Sequence, residues 1–319
     1  MDRGFWEKLP RPYFAMAPMA DVTDFAYRSI IASRGKPDLF YTEFVSADGL
    51  CHPIARERLL VDLKYSELER PILAQIFGSR PEKIEQASRL CAELGFDGVD
   101  INMGCPDKAI EKQGAGAGMI KNKEQAVEVI EAAMRGAGGL PVSVKTRLGY
   151  TSTDEMDEWL GTLASTGVAS ITVHLRTRKE MSKVPAHWEL ASRLAGLGPI
   201  VAGNGDVADL ADARHKAKQY NLDGIMLGRA IFGNPWLFAD VGKPDWSEVF
   251  ATIIEHANLF QKTFIDEPIA EGKKPYKSFA VMRKFFGAYL AGYPRASEVK
   301  LELMKCDNHT AVKKVLLGI

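Results

Sequence analysis

Cysteine is scarce: Cys51, Cys91, Cys105 and Cys306 are the four in 319 residues, and none forms a C-x-x-C pair. That excludes a disulfide framework and the usual zinc or iron–sulfur spacings, and reduced thiols in a cytoplasmic protein are expected. Long apolar runs are missing as well. No stretch approaches the roughly 20 residues of a membrane span, and the N-terminus lacks the apolar segment of a signal peptide. Net charge is missing, with 41 Lys and Arg against 41 Asp and Glu. A chain that holds nucleic acid or membrane through its overall charge is thereby excluded. There is no low-complexity tract, no short internal repeat and no G-x-G-x-x-G, so a Rossmann nicotinamide site is not indicated.

What is present is an alternation. Apolar residues make up 46% and charged residues 26%, as in ordinary globular proteins. Eight short apolar runs begin at Tyr13, Leu39, Ile72, Gly98, Val142, Ser170, Ile200 and Gly224, most of them separated by amphipathic stretches. Among those stretches, 23–33, 81–94, 123–135 and 154–165 are expected to be helical, with Pro81 suited to a first turn and Gly95 to a stop. Eight strand–helix units predict a (β/α)8 TIM barrel rather than an open doubly wound sheet. After Phe238 the rhythm changes, and 246–264, 278–290 and 298–314 are expected as helices. Two domains follow: a barrel over 1–242 and a small all-helical domain over 243–319, with the boundary at Lys243-Pro244. The helical part holds 12 Lys and Arg against 9 Asp and Glu, a slight basic excess.

The stretch around which the rest is organised is Asn102-Met103-Gly104-Cys105-Pro106. It follows the apolar run Gly98–Ile101, and Gly104 and Pro106 turn the chain there, so Cys105 is presented on a loop beyond a strand end. A thiol with an ordinary pKa of about 8.5 stays protonated at neutral pH and can donate a proton. Met19, Gln75, Asn102, Lys145, His174, Asn204 and Arg229 fall at the same ends of other strands, the face on which barrel enzymes carry their chemistry. Gly203-Asn204-Gly205-Asp206 and Gly228-Arg229 follow the last two strands, where backbone N–H groups and an arginine suit a phosphate. Lys145 and His174 suit a planar ring that gains negative charge, and Gln75 can address its edge. Together these residues point to a phosphorylated heteroaromatic cofactor, most economically FMN, facing a thiol acid.

The chain resembles the tRNA-dihydrouridine synthase family. The motifs that carry the resemblance are A-P-M-A-x-V-T-D (Ala17 to Asp24), Y-T-E (Tyr41 to Glu43), A-Q-I-F-G (Ala74 to Gly78) and D-I-N-M-G-C-P (Asp100 to Pro106). They continue with V-K-T-R-L-G (Val144 to Gly149), H-L-R-T-R (His174 to Arg178), G-N-G-D (Gly203 to Asp206) and G-R-A (Gly228 to Ala230), in the family's order. The resemblance implies reduction of the C5–C6 bond of selected tRNA uridines. NADPH (or NADH) would reduce FMN, hydride would pass to C6, and Cys105 would protonate C5. It carries FMN binding onto Pro18, Met19, Ala20, Gln75, Lys145, His174, Asn204, Gly205, Asp206, Gly228 and Arg229. Uracil or backbone contacts fall on Asn102, Arg147 and Arg176. The helical C-terminus would dock tRNA, and the candidate backbone contacts are Arg147, Arg176 and Arg178 at the mouth with Lys273, Lys277, Arg283 and Lys284 in the helical domain. A monomer with no metal and no membrane contact is expected.

Two departures from the family pattern bear on RNA specificity: Lys179 to His187, ahead of Trp188, and Phe285 after the basic pair Arg283-Lys284. Other readings stand beside this one. An FMN barrel acting on a free pyrimidine, as dihydroorotate dehydrogenases do, would share the cofactor site but leave the helical domain unexplained. A non-catalytic tRNA-binding protein on the same fold would have no need of Cys105 and Lys145. An aldolase using Lys145 as a Schiff base would carry no flavin.

Overall fold

Short runs rich in Val, Ile, Ala and Leu form strands when both of their faces can be buried, and a closed parallel barrel provides that. The computed structural model describes residues 3–242 and 244–319. The strands are β1 (Tyr13–Met16), β2 (Phe40–Tyr41), β3 (Val45–Ser46), β4 (Ile72–Phe77), β5 (Gly98–Met103), β6 (Val142–Arg147), β7 (Ser170–His174), β8 (Ile200–Asn204) and β9 (Gly224–Leu227). They run parallel in the order β1-β9-β8-β7-β6-β5-β4-β2, with β3 also on β4. Closure comes from Ala15, which bridges to Leu39, and from the Met16 N–H, which donates to the Leu39 carbonyl at 3.1 Å. The expected (β/α)8 barrel is the fold. Of the expected run from Leu39 to Phe44 only Phe40–Tyr41 is strand, and pairing resumes beyond it at β3; between them the Thr42 hydroxyl accepts the Gln75 N–H at 3.0 Å.

Helices Phe25–Arg34, Pro81–Glu93, Lys123–Ala137, Met156–Ser165 and Leu210–Tyr220 wrap the sheet. Their starts are chemically marked: Asp24, Asn122 and Asp209 each accept a hydrogen bond from a first-turn N–H, and Pro81 opens its helix. Between β7 and β8 the connecting helix is reduced to the 3-10 segment Trp188–Leu194. The barrel interior is a separate apolar cluster that includes Tyr13, Tyr41, Leu73, Ile200 and Met226, closed at the N-terminal end by the buried Trp6. Strand register then decides which polar side chains share the open end. Gln75 is level with Asp100, Asn102 with Lys145, Arg147 with His174, and His174 with Asn204.

Beyond the barrel lie helices Trp246–Gln261, Arg283–Tyr289, Ala296–Leu303 and His309–Leu317, with a π-helical turn at Lys262–Asp266. The single helix expected over 298–314 is two. Asn308 accepts from the Ala311 N–H at 2.8 Å and restarts the chain as a new helix. Of the expected boundary Lys243-Pro244, Lys243 lies outside the described residues.

The helical part is joined to the barrel by rings and by charge. Tyr27 of the first barrel helix stacks on His256 (5.0 Å between centroids) and meets Phe285 at 4.9 Å. Lys277 reaches Glu43 (2.8 Å), Asp21 (3.4 Å) and Asp62 (3.7 Å) with little of its side chain exposed. Glu43 completes the joint by accepting the Asp21 N–H at 2.5 Å, which explains the acidic residue of the Y-T-E motif in structural terms. Lys277, expected on RNA, is thus committed to the contact between the helical part and the barrel, because three carboxylates surround it.

Burial, with Glu43 beside it, pushes Asp62 up to about 6, and burial also raises Asp24. A carboxyl whose folded pKa lies above its unfolded value favours the fold when protonated and opposes it as pH rises through the interval. Lys277→Met should therefore lower stability by about 3–5 kcal/mol near neutrality, where the carboxylates lose their cation. The loss should be larger at about pH 8 than at about pH 5. Urea unfolding of wild type and variant at both pH values measures it, and an equal loss at both would contradict this role.

Candidate active site

A cleft of about 700 Å³ opens at the C-terminal ends of the strands, lined by residues that include Pro18, Met19, Lys145, His174, Arg176, Asn204, Gly205, Asp206, Gly228 and Arg229. Sequence reasoning placed all of these in the site, from five different strand ends. It missed Ser182, which enters from the loop after β7 and carries no strand-end signal. Ala20, Gln75, Asn102, Cys105 and Arg147 do not line the cleft and stand around it.

Local hydrogen bonds explain why the motif residues are what they are. Thr23 clamps the turn after β1, accepting the Met19 N–H (2.9 Å) and donating to the Met19 carbonyl (3.2 Å). Asn204 accepts from Lys145 Nζ at 3.3 Å and donates to the Met226 carbonyl at 2.8 Å, so it joins three strands. Trp188 donates its indole N–H to the Gly205 carbonyl at 2.8 Å. Asp206 sits between two arginines, accepting from Arg176 and, at 2.5 Å, from Arg229, while the Ala186 N–H reaches it at 2.9 Å. Arg229 keeps 72% of its side chain exposed, so one contact to Asp206 leaves most of its guanidinium free.

The arginines expected near substrate are mostly buried. Arg147 donates from Nε to the Gly104 carbonyl (2.7 Å) and from one terminal nitrogen to Thr177 (3.2 Å) and Met181 (3.0 Å). Arg176 donates to the Val184 carbonyl at 2.6 Å. Both therefore tie down the 177–187 loop, part of which departs from the family pattern. A second clip holds that loop: His187 lies between Glu180 (2.8 Å) and Glu189 (2.9 Å). Arg178 is taken up by Glu111, with one bond of 2.6 Å. In the helical part, Lys273 pairs with Glu57 and Glu271, both at 2.9 Å, and Lys284 donates to the Asp21 carbonyl at 2.8 Å. Arg283 lines a separate cavity of about 490 Å³ with Arg58 and Lys277.

Electrostatically the cleft is cationic. Burial, and after it the charges of Lys145, Arg147, Arg176 and Arg229, hold His174 well below the usual imidazole range. A neutral ring accepts at Nε2 from the Arg176 guanidinium (3.1 Å), so it carries its proton on Nδ1. Burial, and then Arg147, bring Lys145 down to about 8. Burial raises Cys105, against smaller opposing effects of the Asp107 N–H, Lys145 and Arg147, so the thiol stays protonated at neutral pH. The arrangement can bind an anionic group, stabilise negative charge that develops on a bound ring, and deliver one proton from a half-buried thiol. Among the described residues there is no cluster of His, Cys, Asp and Glu able to hold a metal. No helix there is long and apolar enough to cross a membrane.

The family model described as "Dihydrouridine synthase (Dus)" matches residues 15–317. A "Probable tRNA-dihydrouridine synthase 2" of Bacillus subtilis (strain 168) is 42% identical, the alignment covering 99% of this chain and 96% of the relative. A "Probable tRNA-dihydrouridine synthase" of Staphylococcus aureus (strain COL) is 39% identical over 99% of this chain and 95% of its own. Among solved structures, morphinone reductase superposes with a TM-score of 0.53 at 15% identity, over 75% of this chain and 89% of that one. That last likeness is one of fold.

Gly205 supplies a test of how tightly the cleft is built. Its φ is +121°, and a Cβ there would lie 3.0 Å from both the His174 ring and Ala186. Gly205→Ala should cost about 1–3 kcal/mol in backbone strain. Urea denaturation measures this, and Gly242→Ala, with nothing near its Cβ, serves as the control.

Proposed function

The chain belongs to the dihydrouridine synthase family, and from that premise we propose that it reduces selected uridines of tRNA to 5,6-dihydrouridine, with FMN as resident flavin and NADPH (or NADH) as reductant. The observation that carries this reading is the juxtaposition at one rim of a cationic cleft and a protonated thiol. Four cations act on His174 beside a cleft of about 700 Å³, and Cys105 stands on the loop after β5, the strand next to the one that carries Lys145. Pockets of this size suit a cofactor.

The residues present fit FMN. Arg229, largely exposed beside Gly228 and Gly205, suits the phosphate, and Asp206 orients that arginine. Pro18, Met19 and Ala20 form a turn that Thr23 holds rigid, suited to one side of a flat ring. Lys145 and His174 suit the part of the ring that becomes anionic on reduction, where a fixed cation in a water-poor site is worth most. When bound and reduced, FMN supplies the hydride for C6 of the uracil. Cys105 holds the proton for C5 at its Sγ, and the raised thiol pKa keeps that proton in place until the ring accepts it. Asn102 accepts the Gly104 and Cys105 N–H groups (3.2 and 2.9 Å) and so fixes the loop that aims the thiol. Arg147 holds the same loop from its Gly104 carbonyl. Arg147 and Arg176 act on substrate by shaping the 177–187 loop over the mouth rather than by pairing with phosphate. We take residues 1–242 as the catalytic domain and 243–319 as the tRNA-docking domain.

Two measurements test the reading. Arg229→Ala should give a folded protein that purifies without the yellow flavin spectrum, and retention of stoichiometric FMN would remove Arg229 from the phosphate site. Cys105→Ala should still have its flavin reduced by NADPH, yet reoxidise with tRNA on the order of 10²–10⁴-fold more slowly, the usual contribution of a general acid. Stopped-flow absorbance at the flavin band separates the two half-reactions, and an undiminished tRNA-dependent rate would exclude the thiol as proton donor.

A further inference from the structure

Behind the Cys105 loop lies a buried chain of polar side chains, of which the steps above use Asn102 alone. Ser143 donates its hydroxyl to Asp100 Oδ1 at 2.5 Å, and Gln75 Nε2 donates to Asp100 Oδ2 at 2.6 Å. Asn102 Nδ2 donates to Gln75 Oε1 at 2.9 Å, and Asn102 Oδ1 takes the two loop N–H groups. Asp100 and Gln75 are fully buried, and Asn102 nearly so.

The chemistry of the two ends decides the direction of the chain. A carboxylate can only accept, and backbone N–H groups can only donate. Two primary amides lie between them, and each would fit its space equally well turned by 180°. Turned, Gln75 would face the Asp100 carboxylate with its oxygen and Asn102 would face the Gly104 and Cys105 N–H groups with its NH2, giving two repulsive contacts where water cannot relieve them. Only one orientation of both amides satisfies every group. We propose that Asp100 is a positioning residue for the proton donor: it fixes Gln75, Gln75 fixes Asn102, and Asn102 holds the Gly104-Cys105 loop in register with Lys145. The proposal rests on the reading of Cys105 as the acid, but its effect on the loop is measurable without flavin or tRNA.

Ser143 makes the idea separable from a plain effect of charge. In D100N the new amide can keep its oxygen on Gln75 and give its NH2 to the Ser143 hydroxyl, which accepts as readily as it donates. D100N should therefore preserve the orientation. D100L removes the acceptor, and D100N/S143A removes the partner that holds the new amide, so both should release the chain. The first readout is alkylation of Cys105 by iodoacetamide in the protein stripped of substrates, resolved by peptide mass spectrometry. Half-exposed Cys51 serves as a remote control and buried Cys91 as a reporter of global unfolding. The second is flavin reoxidation by tRNA in a single turnover.

In D100N/S143A, and in D100L if Cys91 stays protected, Cys105 should alkylate at least several-fold faster while Cys51 keeps its rate. Reoxidation by tRNA should fall on the order of 10- to 100-fold, as small misplacements of a reacting group do. D100N should retain most of both wild-type values. Cys105 alkylation at the wild-type rate in D100N/S143A would overturn the proposal, and so would a D100N as impaired as the double variant, which would assign the effect to charge. Faster alkylation with unimpaired reoxidation would leave the positioning intact and overturn the reading of Cys105 as the acid.

Discussion

Burying positive charge at the open end of the barrel is the constraint on which this structure depends. Lys145, Arg147 and Arg176 are carried inward by β6 and the end of β7, where desolvation opposes each of them. Few carboxylates are there to balance them: Asp206 meets Arg176 and Arg229, and Asp100 lies deeper in the barrel. Backbone carbonyls of Gly104, Thr177, Met181 and Val184 supply the rest of the partners. The cost of that arrangement is visible in the lowered pKa values of Lys145 and His174. What it produces is a cleft with cationic walls and neutral imidazole, suited to a phosphate and to a ring that becomes negative.

The same arginines couple the site to the loop above it. Because Arg147 spans from the Cys105 loop to the 177–187 loop, the thiol and the strap over the mouth cannot move independently. Asp100, Gln75 and Asn102 support the thiol loop from below. Cys105 is thus held from two sides, and the half-buried position that raises its pKa follows from that double support. At the other edge of the mouth, Lys277 binds the helical part to barrel residues Glu43, Asp21 and Asp62. The turn carrying Met19 adjoins this joint through Asp21, so the helical part and the cleft share one rigid wall.

The fold was largely legible in the residues. Eight apolar runs separated by capped or proline-started helices leave little freedom for anything but a barrel, and strand ends point their chemistry to one rim. Lys145, His174, Asn204 and Arg229 could be assigned to the cleft on that basis alone. The helical part was less legible. One periodic stretch from Glu298 to Lys314 proved to be two helices, since a single Asn308 cap outweighs the continuity of the apolar pattern.

Sequence alone determined the barrel fold and the family, and it picked out the strand ends and the thiol on which the proposed chemistry rests. Those features follow from local periodicity and from residues that sit next to one another in the chain. Only the tertiary structure decided which polar groups remain available. Arg147, Arg176, Arg178 and Lys277 look in the sequence like free cations for RNA, yet each is taken up by partners 30 to 234 residues away or by a carbonyl across the mouth. Asp100 stands in the sequence as one polar residue within an apolar run and is, in the structure, the acceptor at the end of the chain of two amides. The physical reason is the same in both cases: a charge is defined by what desolvates and pairs it, and those neighbours come from other strands and loops, whose approach no local pattern records.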